Sequence, residues 1–329
     1  MLSRTADHLF WMSRYTERAE NTARMLDVNL EMALLPQTSQ AATAAWQGLL
    51  TISELDSLYK QTHTNISAKQ VIAFMVADHN NPSSIASCLR AARDNARAVR
   101  GALTTEIWET QNQTWLELQQ MLKAKAYEID PGKFFEWVKF RSHLSRGVAI
   151  GTMLQDEAYN FVRMGTFLER ADNTARLIDV KFHSDKDQGS MTSHYMRKQA
   201  RGVQAAPSNA TDFYYWSAIL RSVSAFEIYR KVYRDVIKPE RVAELLLLRA
   251  DMPRSLHASL NGIYVNLQAV APDAASETMR HAGKLRAELA YGDIGELLSM
   301  GLHAYLTNFL DRINDLGSRI SRDFLLPAA

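Results

Sequence analysis

Five residues in one stretch carry most of the chemistry this sequence offers: Glu17, Arg18, Asn21, Arg24 and Asp27. The set recurs as Glu169, Arg170, Asn173, Arg176 and Asp179, 152 positions further on. Carboxylates and guanidiniums in such a pattern suit three kinds of work. On a solvated helix face they form i,i+3 and i,i+4 pairs worth about 0.2–0.5 kcal/mol each. Buried between helices they form a charge network, in which losing one partner costs roughly 3–5 kcal/mol. Lining a polar cleft, they can hold a ligand with both charge signs, such as an amino acid or a peptide, or act as acid–base groups.

The repeat is close. Tyr15–Asn29 and Phe167–Lys181 agree at nine of fifteen positions. At about 100° per residue, Glu17, Glu20, Asn21, Arg24 and Asp27 share one helix face of roughly 120°. Ala19, Ala23, Leu26 and Leu30 lie opposite, on the face expected to be core. Weak exposed pairs are a poor reason for so many identities between halves that differ elsewhere. Two readings stay open. In one, the motif helices face each other, with Glu17 meeting Arg176 and Glu169 meeting Arg24, and Ala19, Ala23, Ala171 and Ala175 permitting close approach. In the other, the polar faces line a cleft between the halves, with Glu17 and Glu169 available for proton transfer.

A carboxylate-bridged di-metal bundle needs Glu-x-x-His elements on facing helices. Glu17-x-x-Glu20 and Glu169-x-x-Asp172 stand here instead, so no metal site is expected. No phosphate loop, dinucleotide fingerprint or serine elbow occurs, and no cofactor is expected. His303 and Tyr305 are polar groups in an apolar final helix. His303 joins the candidate set, although a satisfied core histidine is the ordinary occupant of such a place. The single cysteine, Cys88, reads as a small buried residue and has no partner for an internal disulfide.

The elements that must hold these groups are helices. Residues 5–34 form one long helix, ended by Pro36. Others are expected over 41–60 and 67–77. Asn81 is placed to cap, and Pro82 to begin, a helix that runs to about 103. Further helices are expected over 105–127, 131–149, 152–182 (the second motif), 272–290 and 294–324. Trp46–Leu50 is echoed by Trp216–Leu220, and Val71–Leu89 by Val242–Leu260, at offsets of 170 and 171. Convincing period-two runs and Asn-Gly hairpin turns are missing, so strands are not expected. The expected fold is all-α: two tandem, similar helical bundles, 1–150 and 151–329, related by a pseudo-twofold. A polar stretch over 184–210 in the second half is either a surface loop or a lid over a site.

Composition narrows the function classes. Of the 329 residues, 47% are hydrophobic, enough for a sizeable core. Lys and Arg number 38 against 36 Asp and Glu. That near-balance gives no electrostatic reason to bind nucleic acid or an anionic membrane. No apolar run is long enough for a membrane span, and the first residues lack the apolar core of a signal peptide. A cytoplasmic protein is expected.

Several stretches together resemble the bacterial alpha-E family, an all-helical domain with a Glu-Arg signature. They are Arg14–Arg24, Pro82-Ser83-Ser84-Ile85, Ala92–Arg97, Phe167–Asp179, Pro253-Arg254-Ser255 and Gly301-Leu302-His303. The resemblance covers essentially the whole chain. It implies a setting beside a circularly permuted ATP-grasp ligase and a transglutaminase-like protein, hence a part in making or modifying a peptide by amide ligation. The role implied is an accessory or substrate-presenting subunit. An enzyme acting on that peptide and a purely structural interaction module are the alternatives.

Overall fold

The computed structural model describes residues 1–34, 38–187, 210–271 and 276–325. Among these, every regular element is helical. Two helices of 31 residues form the centre: α1 (Ser3–Ala33) and α9 (Glu157–Asp187). They pack on each other more extensively than any other pair. Around α1 lie α5 (Ile85–Ala98) and α8 (Pro131–Thr152); around α9 lie α13 (Leu256–Val270) and α16 (Leu302–Phe324). The remaining helices are α2 (Ser39–Ile52), α3 (Asp56–Lys60), α4 (Ala68–Ala77), α6 (Thr105–Lys123), α7 (Ala126–Ile129), α10 (Ala210–Ser222), α11 (Phe226–Tyr233), α12 (Pro239–Leu247), α14 (Glu277–Ala290) and α15 (Ile294–Met300). Some packings cross over in chain order: α2 touches α9, and α10 and α16 touch α1.

Several helices expected as single rods are broken. The 41–60 stretch divides at Glu54, whose backbone is left-handed, with φ of 56°. The Leu55 N–H reaches back to the Leu50 carbonyl and closes a Schellman-type end. The same end recurs at Ser224, with φ of 55° and an Ala225-to-Leu220 bond. The 294–324 stretch breaks at Gly301, where φ is 93°. The 105–127 stretch breaks at Lys125, with φ of 51°. Asn81 is not the helix cap. Its side chain accepts from the Ser83 N–H and donates to the Phe74 carbonyl, tying the turn back to α4. Ser84 caps α5 by accepting from the Ser87 N–H, and Ser255 caps α13 in the same way. Pro36 and residues 188–209, the bulk of the polar stretch, lie outside the described residues.

The expected division of α1 into a core face and a polar face also needs correction. Ala19, Ala23 and Leu26 are buried, as are Glu17, Glu20, Asn21 and Arg24. From Thr16 to Leu26 only Arg18 is not fully buried. The polar face is covered because α9 and α8 pack over it. Close approach of α1 and α9 is set at Gly165, where a side chain would run into the Phe10 carbonyl and the Ser13 hydroxyl.

Candidate functional site

The two Glu-Arg dipeptides meet across the α1–α9 contact. Arg170 grips Glu17 with two prongs, Nε to Oε1 at 3.0 Å and Nη2 to Oε2 at 3.1 Å. Arg18 grips Glu169 with the same two atoms, at 2.5 and 2.9 Å. Bidentate guanidinium–carboxylate pairs of this kind are both strong and orienting. The expected partners were different. Arg24 and Arg176 do not cross to the other copy's Glu. Each folds back one turn, Arg24 Nε to Glu20 at 2.8 Å and Arg176 Nε to Asp172 at 2.8 Å. Their outer nitrogens then reach the left-handed residues, Arg24 to Ser224 Oγ at 2.7 Å and Arg176 to Glu54 at 2.5 Å.

The surroundings of the two pairs differ. Glu17 also accepts from Arg254 at 2.9 Å and Arg146 at 2.8 Å. Glu20 accepts from Arg254, Arg146 and the Ser142 hydroxyl at 2.5, 2.5 and 2.7 Å. Among the described residues Glu169 has one further partner, Arg14, at 2.9 Å. Burial alone would push the Glu17 carboxyl up. The facing Arg170, Arg254 and Arg146 outweigh both that and the neighbouring Glu20, and hold it at about 2. Glu20 and Glu169 are likewise buried and held below the usual range by their arginines. Arg254 is shifted in the opposite sense to Arg146. Burial, with Arg170 and Arg24 nearby, pulls it down to about 10 against the attraction of Glu17 and Glu20. Four guanidiniums (Arg24, Arg146, Arg170, Arg254) therefore surround two carboxylates.

Beside the crossed pairs, α1 and α9 open into a cleft of about 210 Å³. Arg18, Asn21 and Thr22 line it from α1, and Glu169, Asn173 and Arg176 from α9. Ser53 and Glu54 close one side. Asn21 is 3% exposed; its Oδ1 accepts from Arg254 at 3.0 Å, while its Nδ2 has no partner among the described residues. The Ser53 hydroxyl, also buried, has none. Unmet polar groups of this sort are costly unless something outside the chain meets them. The cleft thus offers both charge signs, and two of its lining residues, Asn21 and Ser53, each keep one buried polar atom without a partner.

The sequence matches one family over residues 1–325, described as "a predicted alpha-helical domain with a conserved ER motif". The chain belongs to the Alpha-E family. Similar proteins include one from Mycobacterium bovis and two from Mycobacterium tuberculosis, each carrying the name "uncharacterized protein". Each is 24% identical over 339 residues, a match covering 94% of this chain. The chain spans about 35% of the length of these relatives. No solved structure matches.

In this Alpha-E chain the Glu-Arg dipeptide has a clear physical use, since each Glu is held by the other dipeptide's Arg. The other candidates divide. Asn21 and Asn173 line the cleft. Asp27 and Asp179 stay out of the network and tie their helices to the outer shell, Asp27 to Lys139 and Asp179 to His303, each at 2.6 Å. Cys88 is buried, and burial pushes its thiol up to about 12, so it is no nucleophile. Among the described residues no group of three or more His, Cys, Asp or Glu is placed to hold a metal. No helix among them is long and apolar enough to cross a membrane. Arg146, Arg254, Ser142 and His143 were missing from the sequence-derived set. Arg254 left a trace: it stands in Pro253-Arg254-Ser255 where the first half has Pro82-Ser83-Ser84. Arg146 left none, because a lone Arg on a mixed helix face looks like any solvated residue.

Proposed function

We propose that the chain consists of two similar helical halves, 1–150 and 151–329, related by a pseudo-twofold, and serves as the accessory or substrate-presenting subunit of an ATP-grasp amide-ligase system. A circularly permuted ATP-grasp ligase would be its main partner and a transglutaminase-like protein a further one. The cleft between the motif helices would hold a peptide or amino acid. The observation that carries this is the cleft itself, which mixes guanidinium, carboxylate and amide groups from both copies. Zwitterionic or peptidic ligands match such a lining. The pseudo-twofold is supported by contacts that come in pairs: Glu17–Arg170 with Glu169–Arg18, and Arg24–Ser224 with Arg176–Glu54. The partner role rests on the resemblance to the alpha-E family and its implied setting beside such a ligase.

The reading of Glu17 and Glu169 as acid–base groups is weaker. A carboxyl held at about 2 and clamped by guanidiniums gives up a proton at once and recovers one with difficulty. The test is co-expression with the ATP-grasp ligase, followed by size-exclusion chromatography with and without nucleotide. A complex in which Asn173→Ala lowers ligation but not association supports substrate presentation. Failure of the two proteins to associate in either nucleotide state removes the partner role.

A further inference from the structure

His143 projects from α8 at a solvent-facing position and ends between two arginines. Arg146 Nη2 stands 2.7 Å from its Nδ1, and Arg24 Nη2 stands 3.2 Å from its Nε2. Guanidinium nitrogens only donate. A neutral imidazole has one accepting nitrogen, and a protonated one has none. Whatever the tautomer, at least one arginine N–H therefore points at an N–H. The conflict sits at the edge of the cluster in which four guanidiniums outnumber two carboxylates. Arg163, which lies close enough to Arg146 and Arg170 to feel both, adds to the excess: it stacks over Phe167 and forms no ion pair among the described residues. The two ring nitrogens of His143 are spaced much as two oxygens on one carbon or phosphorus.

We infer that His143 occupies an oxyanion site: a carboxylate or phosphoryl group displaces the ring and bridges Arg24 and Arg146, each oxygen accepting from one guanidinium. Arg24 and Arg146 are already aimed. Glu20 fixes Arg24 through Nε, and Ser224 fixes it through Nη1. Glu17, Glu20 and Ser142 fix Arg146 through Nη1, leaving Nη2 for the ligand. Little ordering remains to be done when the anion arrives, which favours affinity. The site is separate from any ligase partner and stands whether or not such a complex forms.

Binding at this site depends on pH in a direction that the geometry sets. His143 faces Arg146 on its own helix, Arg24 and Glu20 from α1, and Arg254 from the turn before α13. Partial desolvation of the ring end, where it lies among the side chains, and then the three arginines outweigh Glu20 and make the free ring a weaker base than usual. A bound oxyanion adds a negative charge beside the ring and raises its basicity. Protonated His143 then becomes a third cation on the ligand, so binding takes up a proton and tightens as pH falls.

The test uses the full chain with N-acetylglycine as the carboxylate probe and inorganic phosphate as the phosphoryl probe, and chloride at equal ionic strength as control. Calorimetry should show binding of one or both oxyanions and none of chloride; the tighter one identifies the ligand class. N-acetylglycine, whose charge is constant over the range, serves for the pH arm. Its affinity should rise about tenfold, or 1.4 kcal/mol, from pH 8 to pH 6 in the wild type and stay flat in His143→Ala. Arg24→Gln should lower affinity at least about tenfold. Should that variant fail to fold, His143→Glu answers in its place. It supplies an internal carboxylate, and it should raise the melting temperature above that of His143→Gln and abolish binding. Chloride binding as strong as either oxyanion, a wild type without pH dependence, or a His143→Glu protein no more stable than His143→Gln and still binding the probe would each overturn the site.

Discussion

Glu17 and Arg170 stand 153 residues apart in the chain and meet through two parallel hydrogen bonds of 3.0 and 3.1 Å. The pair is buried, with Glu17 1% exposed. Its mirror, Arg18 with Glu169, reverses which helix supplies the acid. Each dipeptide thus serves as donor and acceptor at once, so neither helix can turn about its axis without breaking both pairs.

Removing one partner should therefore be severe. Glu17→Gln leaves Arg170, Arg254 and Arg146 short of a charge, and a loss of roughly 3–5 kcal/mol is expected. Glu169→Gln, which strands only Arg14 and Arg18, should cost less. Arg170→Met combined with Glu17→Gln should destabilise by less than the two singles added. Denaturant melts of the three variants and the double measure this; equal losses for Glu17→Gln and Glu169→Gln would contradict the asymmetry.

Acid should loosen the fold through the same carboxylates. Glu17 has an ordinary value of 4.5 when unfolded and about 2 when folded. Its contribution is thus complete above about pH 4.5 and fades as pH falls towards 2. The shift corresponds to roughly 3 kcal/mol. Stability measured from pH 6 down to pH 2 should fall across that window, and the slope should be shallower in Glu17→Gln.

Two non-glycine residues in left-handed backbone offer a contrast. Glu54 and Ser224 both end a helix where glycine is the comfortable choice, and the conformation costs about 1 kcal/mol. Glu54 is exposed and its ion pair with Arg176 contributes about 0–1 kcal/mol. Glu54→Gly should then be neutral or slightly stabilising. Ser224→Gly relieves the same strain but removes the acceptor of the buried Arg24, a bond worth about 1.5–3 kcal/mol, and should destabilise. Thermal melts of the two variants should move in opposite directions, or Glu54→Gly should stay level while Ser224→Gly falls.

Gly165 holds α1 and α9 at their spacing. Gly165→Ala places a methyl against the Phe10 carbonyl and Ser13 hydroxyl, and backbone cannot step aside cheaply. A loss of about 1–3 kcal/mol is expected. Because the cleft depends on that spacing, ligand binding there should weaken too. A stable Gly165→Ala protein with unaltered melting would show that the contact has slack.

Much was legible in the sequence. Helical periodicity without strand signals gave the all-α class. The doubled motif marked the two helices that turned out central. These features are local: residue spacing along one helix decides which side chains share a face. Tertiary structure alone decided which arginine meets which glutamate. Periodicity fixes directions within a helix but not the rotation and sliding of one helix against another. Arg170, one position after Glu169, reaches Glu17, while Arg176 turns back on Asp172. The entry of Arg146 and Arg254 was hidden for the same reason. Long side chains from α8 and from the turn before α13 converge on Glu17 and Glu20 only after packing. Their arrival turned a polar helix face into buried interior, because four guanidiniums supply there the hydrogen bonds that water supplies at a surface.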